Sequence, residues 1–318
     1  MAALIETHEL TKDYLTGFWR KVPKRSLDRL TLQVHENEVF GFLGPNGAGK
    51  TTTLKLLMHL IFPTSGKARI LGRPVADAAM RRHIGYLPEH PYFYDYLTAR
   101  ELLDYFARFF GYQAAERRRR VARFLERVGL AEAANVQLRK FSKGMLQRVG
   151  LAQAILHDPQ VIFLDEPMSG LDPVGRREVR DLILELKKEG RTVFFSTHIL
   201  SDAETLCDRV AVLARGRMRG IGHLENLLPA KVQAVEIIFT MPDGAAPPAA
   251  LPVLAQAGGR YRCEVPEDQA AAALDQLRGA GAVVTALTQI RPSLEDYFFA
   301  LIQQAGEEGQ ARESEALR

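Results

Sequence analysis

The chain has 318 residues, 47% hydrophobic and 25% charged, enough for one large core plus a smaller unit. Lys and Arg number 42 against 38 Asp and Glu, a formal charge of +4 that is too small to imply nucleic-acid binding. No apolar run nears the roughly 18 residues that cross a bilayer, residues 1–11 lack a secretion leader's layout, and Cys207 and Cys263 lie too far apart for a C-x-x-C site, so a soluble chain with core cysteines in a reducing compartment is expected.

Residues 4–10 read as an edge strand and 27–34 as its partner. The excursion between them, residues 11–26, holds Tyr14 and a basic, aromatic cluster of Phe18, Trp19, Arg20, Lys21, Lys24 and Arg25. The cluster suits a solvated loop, with lipid headgroups or a membrane partner as alternative contacts. Next comes a strand-like run, 38–43, and then Gly44, Pro45, Asn46, Gly47, Ala48, Gly49, Lys50 and Thr51. This octet fits G-x-x-x-x-G-K-[ST] and precedes a helical run, 51–62, which places a phosphate-binding loop between strand and helix. Its glycines let backbone N–H groups surround phosphate oxygens, and the helix N-terminus faces the same anion. Lys50 supplies charge for the β- and γ-phosphates, and Thr51 a hard oxygen for Mg²⁺. His59 reads as a helix residue without a special role.

Strands are expected at 67–71 and 84–87, and residues 88–157 then read almost wholly as helix. Thr98 to Glu101 form a capping box, and the Arg117 to Arg120 run reads as the wet side of an amphipathic helix, with an acidic partner as the alternative. Alternation resumes with a continuously apolar strand, 161–164, a helix opened by Asp172 and Pro173, and a buried strand at 192–196. A terminal hairpin, 209–213 and 217–221, closes this part. The core is expected to end near Leu228. Beyond Pro229, strands at 235–240, 261–265 and 283–289 with helices at 267–278 and 294–303 suggest a small α+β domain. Residues 241–252 read as a loop inside it and 306–318 as a charged disordered tail.

Asp165 and Glu166 close the apolar strand at the sheet's carboxyl edge, where the phosphate loop also opens. Asp165 would hold Mg²⁺ through water, and Glu166 would take a proton from an attacking water or polarise it. Some twenty residues earlier stands Phe141-Ser142-Lys143-Gly144-Met145-Leu146-Gln147-Arg148. With it, the chain resembles the ATP-binding cassette (ABC) family over residues 4–228. The resemblance matches Tyr14 to the aromatic residue stacked on adenine and 44–52, through Thr52, to Walker A. Residues 161–166 match Walker B, 169–172 the D-loop, and His198 the switch histidine.

The resemblance implies an α/β, P-loop NTPase ABC nucleotide-binding domain at 1–228 with a helical subdomain at about 88–157. A C-terminal α+β accessory domain would follow at 229–305, and the tail at 306–318. It implies an ATPase using ATP and Mg²⁺, with Thr51, Glu89 and Asp165 at the metal and Glu166 and His198 catalytic. Two cassettes would close head to tail, so that Ser142 and Gly144 of a second copy, or of a related ABC ATPase, meet the nucleotide held by the first. Two motifs depart from the family pattern, at three positions: Glu89 stands for the usual glutamine, and in the signature Lys143 and Met145 stand for the usual glycine and glutamine. Leu87-Pro88-Glu89, the 41–46 phrase and the 291–298 segment resemble bacterial exporter ATPases that pair with a separate membrane permease. That implies a peripheral location on the cytoplasmic face of the membrane and no nucleic-acid partner. The alternative is a non-transport ABC ATPase acting on nucleic acid or ribosomes, but coiled coils, zinc modules and a second cassette are missing from the sequence.

Overall fold

The computed structural model describes residues 3–17, 21–227, 234–242, 245–290 and 293–316, with 307–316 as backbone. Phe18, Trp19 and Arg20 of the basic cluster, the Leu228 and Pro229 boundary, and Arg291 and Pro292 lie outside the described residues. By chain contacts the protein divides into two units, Met1–Leu224 with Leu301–Arg318, and Glu225–Ala300.

In the larger unit, β1 (Ala3–Thr16) and β2 (Val22–His35) form a long antiparallel hairpin. β3 (Val39–Leu43), α1 (Lys50–Leu57), β4 (Ser65–Ile70) and the short β5 (Arg73–Pro74) follow. The antiparallel sheet runs in the order β2-β1-β4-β5, so β1 is an interior strand and β2 the edge, contrary to the edge position expected for residues 4–10. The 11–26 excursion is also largely strand: Tyr14 pairs with Lys24 and Thr16 with Val22. There the backbone ladder continues past the end of the core, so residues 14–16 are exposed and no burial alternation marks the strand.

α1 stops at Leu57, five residues before the expected end. His59 adopts a left-handed conformation (φ 52°), and the His59 and Leu60 N–H groups donate to the Leu56 and Lys55 carbonyls at 3.0 and 2.8 Å. His59 is therefore the left-handed residue that closes the helix end rather than a helix residue. Met58 and Ile61 still reach the core from this turn, which explains why their spacing reads as helical.

β6 (Ile84–Leu87) leads into a helical region, α2 (Ala99–Phe109), α3 (Ala114–Arg127) and α4 (Lys143–Ile155). Thr98 and Glu101 make the reciprocal capping box at the start of α2. The four-arginine run is only half wet. Arg118 and Arg119 face solvent, whereas Arg117 binds Asp104 at 2.8 Å and Arg120 binds Asp158 at 2.6 Å beneath the Tyr112 ring.

β7 (Val161–Asp165), α5 (Pro173–Lys188), β8 (Thr192–Thr197), α6 (Leu200–Leu206), β9 (Arg209–Ala214), β10 (Arg217–His223) and α7 (Leu224–Leu227) complete this stretch. Strands β9-β3-β8-β7-β6 are parallel, and β10 joins β9 antiparallel at the edge. Every residue of β3, β7 and β8 is buried, as helices on one face and the antiparallel sheet with α1 on the other require. Phe194 sits 5.3 to 5.6 Å from the rings of Phe40, Phe42 and Phe163, tying three central strands together.

The smaller unit contains β11 (Ala234–Thr240), β12 (Val253–Ala257), β13 (Arg260–Pro266), α8 (Ala270–Gly279) and β14 (Val283–Ile290). Its antiparallel sheet runs β12-β13-β11-β14, and α8 covers a core of Ile237, Phe239, Cys263 and Leu277. β12 has no counterpart in the sequence expectation, because all five residues are exposed and it is held by backbone pairing to β13. α9 (Leu294–Ala316) continues past the expected end at 303.

Candidate nucleotide site

The parallel register brings β3, β7 and β8 to one edge together: Leu43 lies beside Thr197, and Asp165 beside Ser196. The loop after β3, the acids after β7 and the histidine after β8 therefore emerge side by side, as the carboxyl edge of a parallel sheet provides.

Two glycines of the loop have steric reasons to be glycine. A Cβ on Gly44 would lie 2.4 Å from the Leu213 carbonyl oxygen. Gly49, at φ 110°, would place one 2.6 Å from the Ser26 carbonyl oxygen. This close approach aims the start of α1, with Lys50 as its first residue, into the site.

Lys50 is 6% exposed, donates to the Gly44 carbonyl at 2.7 Å and meets Glu166 Oε1 at 3.2 Å. The other Glu166 carboxylate oxygen lies 2.9 Å from His198 Nδ1, so one buried carboxylate joins the loop lysine to the histidine. Glu166 itself holds φ 50°, an uncommon left-handed value for a non-glycine residue, and its N–H donates to the Ser196 carbonyl at 3.1 Å. Asp165 is 1% exposed and accepts a 2.5 Å hydrogen bond from Ser196 Oγ. Burial pushes its carboxyl up, hydrogen bonds from Ser196 and Thr51 oppose this, and the charges of Glu89 and Glu166 add to the rise.

A cleft of about 300 Å³ opens over these groups, lined by residues 45–52 with Ser26, Glu89 and Glu166. Its polar lining suits a phosphate chain. Ser26 had no signal in the sequence pattern. Its hydroxyl lies 2.9 Å from Thr52 Oγ1, and only the return of β2 past the loop puts it there. Glu89 is on the rim with its side chain 44% exposed, and its carboxylate lies 4.0 Å from His90 Nε2.

Other predicted residues stand apart from this lining. Tyr14 lies on the hairpin, 38% exposed, with the Lys12 ammonium 5.3 Å from its ring centre. Ser142 caps α4 by accepting from the Met145 N–H at 3.2 Å, and a Cβ on Gly144 would meet nothing closer than Leu171 Cδ2 at 3.7 Å. Nothing among the described residues demands glycine at 144. Asp172 accepts from the Gly175 N–H at 2.8 Å and so caps α5.

A phosphate loop between a strand and a helix of a parallel sheet, facing two acids on the neighbouring strand, defines a P-loop nucleotide-binding domain. A family model described as ABC transporter matches residues 27–169. An uncharacterized ABC transporter ATP-binding protein of Synechocystis is 45% identical over 311 residues, covering 96% of this chain and 86% of that protein. The Nod factor export ATP-binding protein I of Burkholderia orbicola is 38% identical over 235 residues, 72% of this chain and 77% of that protein. Among solved structures, the dimeric post-hydrolysis state of the ATP-binding cassette MJ0796 bound to ADP and Pi superposes with a TM-score of 0.64 at 27% identity. It covers 70% of this chain and 99% of that one. The chain belongs to the ABC transporter family, as one of its ATP-binding, ATP-hydrolysing subunits.

Proposed function

We propose that the chain powers export through a separate membrane permease by ATP-driven closure of two cassettes at the cytoplasmic face of the membrane. The observation that carries this reading is the split of the predicted site. The cleft holds the phosphate loop and Glu166, while Ser142 and Gly144 stand outside its lining. Export as the direction is supported by the exporter-like motifs and by the relative named for Nod factor export. No helix among the described residues is long and apolar enough to cross a membrane, which is consistent with a permease supplied separately.

In this reading Lys50 transfers its charge from Glu166 to the β- and γ-phosphates, and the backbone N–H groups of the loop surround their oxygens. Glu166, released from Lys50, accepts the proton of the water that attacks the γ-phosphorus. His198, with Nδ1 on Glu166, turns its other nitrogen toward the γ-phosphate. No group of three or more acidic, histidine or cysteine residues among the described residues could cage a metal. The Thr51 hydroxyl, Asp165 and Glu89 fit Mg²⁺ instead, an ion that takes few protein ligands and completes its shell with water and phosphate oxygens. When bound, the ion neutralises charge on the β- and γ-phosphates.

The test is sedimentation of the full chain carrying Glu166→Gln, with and without ATP. An ATP-dependent dimer that disappears on adding Ser142→Arg is expected. A monomer at all ATP concentrations would refute closure. Recovery of the permease with the tagged chain from detergent-solubilised membranes tests the transport assignment separately.

A further inference from the structure

The two departures at Glu89 and Lys143 each leave a charge without a close partner. Glu89 adds a carboxylate to a cleft already lined by Glu166 and Lys50, and its charge reaches the buried Asp165. The side chain is half exposed on the rim, and among the described residues its one basic neighbour within 4.0 Å is His90. A triphosphate entering this cleft meets one more negative charge than a glutamine would present.

Lys143 is the mirror case. It is the first residue of α4, directly after the Ser142 cap, and no acid stands in that first turn. A cation there opposes the positive end of the helix dipole, so the position is poor for folding and good for meeting an anion. Lys143 is exposed and makes no ion pair among the described residues. Its stem instead lies over left-handed Gly170, where a Cβ would be 2.3 Å from Nζ and 3.3 Å from Cδ. The lysine is thus laid against Gly170, its ammonium nitrogen being the atom nearest that glycine, and it remains exposed directly after Ser142 in sequence.

We infer that Lys143 of one copy balances Glu89 of the other across the shared nucleotide, acting as a further phosphate-facing cation of the closed dimer. This rests on the two-cassette reading above. Head-to-tail closure carries Lys143 in with Ser142 toward the triphosphate that Glu89 borders. The excess carboxylate and the excess ammonium then enter the same site from opposite chains, where water exclusion strengthens their mutual effect and that of the phosphates. Lys143 then adds to the positive charge that Mg²⁺ would bring beside Glu89 and the phosphates, from the opposite chain.

A double-mutant cycle on the full chain tests this, using Lys143→Met, which keeps the stem over Gly170, and Glu89→Gln, which keeps the shape. All variants carry Glu166→Gln, and the readout is the ATP-dependent dimer dissociation constant from sedimentation, at low and high salt. Lys143→Met is expected to weaken dimers about tenfold when Glu89 is present and no more than about twofold beside Glu89→Gln, a coupling of about fivefold that shrinks at high salt. Lys143→Arg should retain the parental value. Equal losses in both backgrounds overturn the pairing while leaving the two-cassette reading intact. A chain that stays monomeric with ATP overturns both.

Discussion

Glu166 gathers three constraints at one residue: a left-handed backbone, a buried carboxylate, and two partners, Lys50 at 3.2 Å and His198 at 2.9 Å. Glu166→Gln keeps the shape but removes the proposed proton acceptor, so ATP turnover is expected to fall by about 10²-fold or more with ATP binding retained. Phosphate release and equilibrium nucleotide titration check the two halves of that statement. Asp28 shows a charge serving structure instead. Its side chain is 4% exposed, donors from Arg25 and Arg217 reach it at 3.1 and 2.6 Å, and these with nearby Arg29 outweigh burial and hold its carboxyl below the usual range. Asp28→Asn should cost about 1.5–3 kcal/mol at neutral pH, the range for hydrogen bonds to charged groups. Because the folded carboxyl is the stronger acid, this contribution is complete above its unfolded pKa of about 3.9 and is lost as pH falls through the folded value. The gap between the two proteins in denaturant melts should therefore hold from pH 7 down to about pH 4 and narrow as the pH is lowered further.

At the scale of elements, the join between β3 and α1 depends on how closely β2 and β9 approach it. The Ser26 carbonyl leaves no room for a side chain on Gly49, and the Leu213 carbonyl leaves none on Gly44. Gly49→Ala combines a backbone clash with an unfavourable φ of 110°. It is expected to destabilise the protein by about 1–3 kcal/mol and to abolish detectable ATP binding, since the loop and the start of α1 must move together. Thermal melting and nucleotide titration of the same preparation measure both. The helical region is tied to the sheet in a similar way. Arg120 reaches from α3 to Asp158 and the Leu156 carbonyl, and His157 to the Ile84 carbonyl at the start of β6. Movement of these helices is thereby linked to the strand that ends at Leu87, two residues before Glu89.

For the whole molecule, the proposed site belongs to two chains, so hydrolysis per chain should depend on chain concentration. Specific activity of the purified subunit is expected to rise with concentration and level off once dimers predominate. A flat profile from nanomolar to tens of micromolar would show that one chain suffices. The smaller unit has its own core and its own antiparallel sheet.

The sequence by itself determined which residues are proposed to handle phosphate. The loop from Gly44 to Thr51, the Asp165 and Glu166 pair and His198 could be assigned to one edge, because buried parallel strands are continuous apolar runs and the motifs follow directly after them. Elements without core contact escaped that reading. The outer β1–β2 hairpin and β12 are held by backbone pairing that leaves no burial alternation, and the early end of α1 is hidden because Met58 and Ile61 reach the core from a turn. Tertiary structure alone decided that Ser26 joins the cleft, that Lys50 and His198 share Glu166, and that the Lys143 stem lies over Gly170. Those are contacts between segments distant in sequence, and local pattern carries no record of which distant backbone will pass within a few ångströms.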